Sequence, residues 1–105
     1  MIQDQTFGQA LEAVQQGKLI AREGWNGKGM FVFQRPADVI PISMVVDQIK
    51  TIPASVKKWF TEHGDQEAIL FGAYLCMKAA DGSIVNGWLA SQTDMLAQDW
   101  CILEY

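Results

Sequence analysis

The residues best suited to bind a small molecule lie near the C-terminus, in segment 88–97. Small polar side chains are concentrated there between two residues able to cover a base: Trp88, Ser91, Gln92, Thr93, Asp94 and Met95. Ser91 or Thr93 can cap a short helix, and Asp94 can complete a capping box with Ser91. The free N–H groups of such a first turn suit an anion such as a phosphate. The segment therefore predicts a small-molecule site. The alternative is a well-capped helix whose Met95 and Leu96 belong to the core.

A second candidate lies in the glycine-rich segment 23–29. Asn26-Gly27 is a strong turn signal because both residues tolerate positive φ. A hairpin loop between strands 18–23 and 30–35 accounts for that turn, but it does not require Trp25. An exposed Trp has to pack or to bind something, and its three neighbouring glycines allow a ligand to approach closely. The residues leave packing and binding equally open for Trp25.

The remaining chemistry favours holding a nucleotide over transforming one. His63 lies far in sequence from Ser91, so a nucleophile–base pair is not evident. It also has no Cys or His partner at metal-ligand spacing, so we expect neither a metal nor a cofactor. The glycines of segment 24–29 do not match a phosphate-binding loop. Asp94 and Asp99 are interpreted as a helix cap and a surface group, not as an acid–base pair.

Composition narrows the possible partners. The chain has 105 residues and a net charge of −4, with its basic residues scattered, so a polymeric nucleic acid is not expected as a partner.

No apolar run reaches the ~20 residues of a membrane span, and residues 1–5 do not resemble a signal peptide. We expect one ligand-binding domain over residues 1–105, in the cytoplasm of the cell that makes the protein. Cys76 and Cys101 are expected to be buried thiols.

Periodicity predicts an α+β fold. A helix begins after Thr6, which forms a capping box with Gln9, and ends at Gly17. Strands are predicted over 18–23, 30–35, 73–79, 83–88 and 99–103, and a helix over 56–63 with Val56, Trp59 and Phe60 buried. Residues 43–49 fit either a helix or a strand. The result is a small antiparallel β-sheet with an N-terminal helix packed on one face, a helical insert in the middle and a short C-terminal helix before the last strand.

Four strings in this order resemble one family of small phage and prophage proteins. They are FGQAL at 7–11, AREGWNGKGM at 21–30, MKAADG at 77–82 and WLASQTDMLAQDW at 88–100. This family, long described as a domain of unknown function, includes the second type of Thoeris anti-defense protein. The resemblance covers nearly the whole chain except the insert at 36–71. That insert is where the chain departs from the family pattern.

The resemblance implies a function that the residues alone do not specify. Proteins of this kind bind glycocyclic ADP-ribose signals made by bacterial TIR-domain defence enzymes and do not cleave them. Some also bind cyclic dinucleotides in a separate pocket. They assemble as homo-oligomers, typically tetramers, with pockets at subunit interfaces. By resemblance, Trp25 and Asn26 would meet the base and ribose, and residues 91–95 would line the rest. A nucleotide-processing enzyme and a phage accessory protein acting through protein contacts are the alternatives.

Overall fold

The computed structural model describes residues 1–105, which form two compact units. One contains Met1–Arg35 and Tyr74–Tyr105, and the other is Pro36–Ala73. In chain order the strands are β1 (Ile2–Gln5), β2 (Leu19–Arg22), β3 (Phe31–Arg35), β4 (Asp38–Pro41), β5 (Ala68–Phe71), β6 (Tyr74–Lys78), β7 (Ile84–Asn86) and β8 (Trp100–Leu103). The helices are α1 (Phe7–Gln15), α2 (Ile42–Asp47), α3 (Ala54–His63) and α4 (Gln92–Leu96). The expected α+β class is confirmed, whereas the single domain over 1–105 stays a prediction.

The first unit is a six-stranded antiparallel sheet with the order β1-β8-β2-β3-β6-β7. Ile20 lies opposite Val32 on β3 and opposite Ile102 on β8, so the three side chains share one face. Helix α1 packs on the sheet with Ala10 and Val14 fully buried. This apolar contact is the core of the unit, and it fixes the strand ends that carry the candidate site.

Helix α1 begins and ends as its sequence predicts. The Thr6 hydroxyl accepts the Gln9 N–H, and the Gln9 side chain accepts the Thr6 N–H, which completes the capping box. After the helix, Gly17 adopts φ of 92°, a conformation in which glycine costs no steric strain. Strand β1 was not predicted. Its polar residues do not alternate, and Asp4 at φ of 57° interrupts its pairing with β8.

The second unit contains the β4–β5 pair and helices α2 and α3. The open choice at 43–49 is resolved as a helix, in which Val45 is buried. Strands β4 and β5 were not predicted. The predicted buried side of α3 is wrong for Val56 and Trp59, which are 40% and 53% exposed, because the short elements of this unit cannot cover a full helix face.

The alternative that placed Met95 and Leu96 of α4 in the core is wrong, since they are 45% and 80% exposed. Helix α4 has five residues, too few for an apolar stripe, and it turns Asp94 inward instead, with that side chain 13% exposed. Cys76 and Cys101 are free and buried, as predicted. None of the four helices combines the length and the apolar composition that crossing a membrane requires.

Candidate functional site

Three tryptophans from different parts of the first unit pack together at the predicted site. The ring of Trp25 lies 6.2 Å from Trp88 and 5.4 Å from Trp100, and Trp88 lies 6.3 Å from Trp100, all edge to face. Trp100 is fully buried, whereas Trp25 and Trp88 are partly exposed. Trp25 therefore packs against the core and still presents part of its ring to solvent.

One arginine connects the segments that surround this tryptophan cluster. Arg22, the last residue of β2, donates from Nη1 to Asp94 Oδ1 and from Nε to Asp99 Oδ1, both at 2.9 Å. The second oxygen of Asp99 accepts the Gly24 N–H at 2.7 Å. The interpretation of Asp99 as a surface group is therefore wrong. Its carboxylate joins the end of β2 to the turn that carries Trp25.

Asp94 performs several structural roles at once. It forms the predicted capping box, in which its N–H donates to Ser91 Oγ and its Oδ2 accepts the Ser91 N–H, each at 3.0 Å. Its carbonyl also accepts the indole N–H of Trp100 at 2.9 Å. Ser91 is thus the cap of α4, and the cap is attached to both Arg22 and the core tryptophan.

The contacts among Arg22, Asp94 and Asp99 keep all three side chains charged. The hydrogen bond to Asp99 is the main reason why the pKa of Arg22 is raised, and the same contact with Arg22 lowers the pKa of Asp99. Burial alone would raise the pKa of Asp94, but hydrogen bonds from the Ser91 backbone and from Arg22 outweigh it and lower the pKa. Both carboxyl groups are ionised at neutral pH, and neither is suited to donate a proton in general acid catalysis.

The Trp25 turn is held at its other end as well. Residues Glu23–Trp25 form one 3-10 turn, and Asn26 then adopts φ of 58° and ψ of 33°, as its turn signal predicts. The Lys78 ammonium donates to the Gly29 carbonyl at 2.9 Å and thereby ties the loop to β6. The exposed Asn26 side chain therefore lies on a loop whose two ends are both bonded to the sheet.

The structure brings together part of the predicted set. Contacts link Trp25, Trp88, Ser91 and Asp94 through Trp100 and Arg22. The other members follow these linked residues in the chain and are exposed: Asn26, Gln92, Thr93 and Met95. The sequence did contain a signal for Arg22. Arg22 follows Ile20 by two residues on one predicted strand, so the two share a face, and a cation facing a core needs a carboxylate partner.

Two cavities of the single chain lie away from the tryptophan cluster. Two open cavities of about 430 and 340 Å³ share Leu19, Leu103 and Tyr105 in their linings, and no predicted site residue lines either one. The candidate site of one chain contains two partly exposed tryptophans and the capped start of α4. No group of three or more His, Cys, Asp or Glu side chains is arranged to hold a metal ion.

Comparisons with known proteins agree on one family. The family model of the Thoeris anti-defense 2-like domain matches residues 5–103, so the match includes the insert. The chain is also 36% identical over 98 residues to a protein of Bacillus phage SP01 named Thoeris anti-defense 2. That alignment covers 93% of each chain.

Proposed function

The chain belongs to the family of Thoeris anti-defense 2-like phage proteins, and we propose that it counteracts Thoeris by sequestering a cyclic nucleotide signal. The signal is glycocyclic ADP-ribose, which the protein binds and does not cleave. Cyclic dinucleotides are a second ligand class to test. The proposal places binding at the Trp25 turn and the start of α4.

One observation carries this proposal: two exposed segments far apart in sequence are held beside each other on a rigid support. The Trp25 turn and the α4 cap both bond to Arg22 or to its partner Asp99. Between them they offer an aromatic ring for stacking and several small polar groups for sugar and phosphate oxygens. Rigid supports favour binding because little ordering entropy is lost when the ligand arrives.

The charge state of the site supports holding a ligand over acid–base catalysis. Asp94 and Asp99 have lowered pKa values, and their carboxylate oxygens accept hydrogen bonds from protein N–H groups. A carboxylate has about four acceptor sites, so Asp94 keeps capacity for a further hydroxyl donor. That chemistry fits recognition of a ribose and supports a protein that returns its ligand unchanged.

Self-association is part of the proposal. Leu89 and Leu96 are 88% and 80% exposed on either side of the polar residues at the start of α4. Exposed apolar side chains around a site suit a second copy of the chain, because they would be buried on assembly. We propose a homo-oligomer, with a tetramer expected from the resemblance, in which copies meet beside the ligand site. Light scattering at micromolar concentration tests this, and a monomer mass would contradict it.

Mass spectrometry and thermal unfolding test sequestration directly. The protein is incubated with glycocyclic ADP-ribose, separated from free ligand and then denatured. We expect the released nucleotide to be intact. We also expect the free energy of unfolding to rise by about 2.7 kcal/mol at a ligand concentration 100 times Kd. Release of a linear or hydrolysed product would identify an enzyme. No stabilisation and no retained nucleotide would contradict sequestration of this ligand.

Variants locate the site. Asn26→Gly removes the exposed amide and keeps a residue that tolerates positive φ, so we expect weaker binding at an unchanged melting temperature. Trp25→Ala should also weaken binding, since base–aromatic stacking is typically worth about 1–3 kcal/mol. This second variant also loses core packing. Trp59→Ala, at an exposed Trp of the other unit, is the matched control. If all three variants bind the ligand as tightly as the parent protein, the site lies elsewhere.

A further inference from the structure

We propose that Arg22 is a positioning residue for the ligand site: it sets the α4 cap and the Trp25 turn relative to each other. This role rests on the proposed function, because it concerns the affinity of the same site. The Arg22 side chain is 16% exposed, and its Nε–H and Nη1–H groups are already donated to Asp99 and Asp94. It therefore acts on the ligand site through the two segments that it joins.

The chemistry of this bridge requires an arginine. Its planar guanidinium presents donors in fixed directions, so Nε and Nη1 reach two different carboxylates at the same time. A lysine ammonium on a flexible stem can neutralise one carboxylate, but it cannot hold both in a fixed relative orientation. Arg22→Lys thus keeps the charge and removes the geometry.

Each carboxylate transmits the position of Arg22 to a different part of the site. Asp94 controls the first turn of α4 because its other oxygen accepts the Ser91 N–H. Asp99 controls the turn before Trp25 because its other oxygen accepts the Gly24 N–H. Losing the bridge would loosen the two segments relative to each other, and a ligand that contacts both would then have to order them on binding.

The decisive comparison is between two identical substitutions. Arg22→Lys is compared with Arg35→Lys, which changes an exposed arginine whose cation lies 5.5 Å from the centre of the Tyr74 ring. Calorimetric titration with glycocyclic ADP-ribose should show an affinity loss of about tenfold or more for Arg22→Lys, or 1.4 kcal/mol. Arg35→Lys should keep the parent affinity. Parent affinity in Arg22→Lys would overturn the proposal.

A second control separates positioning from general loss of stability. Val32→Ala removes buried methyl groups from the core without touching the bridge, so it destabilises the same unit. Measured well below all melting temperatures, it should bind like the parent. If Val32→Ala loses as much affinity as Arg22→Lys, the effect of Arg22 is merely structural and the proposal fails. Should Arg22→Lys not fold, Asp99→Asn tests the same bridge at a more exposed carboxylate, with a smaller affinity loss expected.

Amide hydrogen exchange tests the bridge without any ligand. The Gly24 and Ser91 amides, which donate to the two carboxylates, should exchange faster in Arg22→Lys than in the parent, whereas the Thr6-capped turn of α1 should not change. Unchanged exchange at Gly24 and Ser91 would overturn the positioning role. A parent protein that binds no nucleotide would instead contradict the proposed function, and faster exchange in Arg22→Lys would still support the bridge.

Discussion

The two units of this protein begin their helices in different ways. In the first unit, α1 and α4 both start with a complete capping box, formed by Thr6 with Gln9 and by Ser91 with Asp94. In the second unit, α2 and α3 both follow a proline, Pro41 or Pro53, and no side chain caps either one. A side-chain cap satisfies N–H groups that otherwise have no partner in the helix. The helix starts of the first unit are therefore defined more sharply by their own residues.

Polar side chains show the same contrast. In the first unit, Arg22 bonds to Asp99, 77 residues away, and Lys78 bonds to Gly29, 49 residues away. In the second unit, the side-chain bonds are all between residues four apart on α3, such as the exposed pair Lys58–Glu62. Bonds between distant residues fix one segment against another, whereas bonds within a helix only support that helix. The candidate site lies in the unit that has the distant bonds.

The largest difference between the two units is expected when one tryptophan in each is replaced by alanine. Trp100→Ala removes a fully buried ring and the donor to the Asp94 carbonyl, so we expect it to lower the free energy of unfolding by about 3–5 kcal/mol. Trp59→Ala should cost less than about 1 kcal/mol because that ring is 53% exposed. Denaturant unfolding followed by circular dichroism measures both. Similar losses of unfolding free energy in the two variants would contradict the proposed difference in packing between the units.

A pair of glycines gives the next largest effect. A Cβ at Gly24 would lie 2.8 Å from Asp99 Oδ2 and 3.2 Å from Arg22 Nη2, whereas a Cβ at Gly72 would meet nothing within 4 Å. We expect Gly24→Ala to cost about 1–3 kcal/mol by displacing the ion pairs. Gly72→Ala should be neutral, or stabilising by up to about 1 kcal/mol, since alanine restricts the unfolded chain. Melting curves compare the two, and an unaffected Gly24→Ala would show that the bridge tolerates displacement.

The smallest expected effect concerns pH. Asp94 and Asp99 have lowered pKa values in the folded protein, so their ion pairs stabilise it above the ordinary carboxyl pKa of about 4. That stability is lost as the pH falls through the lowered values. In Arg22→Met the stabilising cation is absent, so unfolding free energy should decline less steeply in acid. Lys58→Met should keep the parent pH dependence because its ion pair is exposed. Identical profiles for both variants would contradict this assignment.

The sequence by itself determined the local features of this protein. Capping at Thr6 and Ser91, the Asn26-Gly27 turn and the end of α1 at Gly17 all depend on residues within about one turn of each other. The apolar periodicity of α1 and of the inner strands predicted the α+β class. Family membership followed from the short strings that surround these same turns.

Only the tertiary structure decided which local features meet. It places Arg22 between Asp94 and Asp99, although 72 and 77 residues separate them from it in the chain. It exposes Met95 and Leu96, for which the sequence left a core role open as the alternative to a binding site. It also adds β1, β4 and β5, whose residues carry no clear alternation. The spacing of residues in the sequence indicates which of them share a face of one helix or strand. Burial and ion pairing depend instead on what packs against that face. A short helix or an edge strand has too few residues to specify its neighbour.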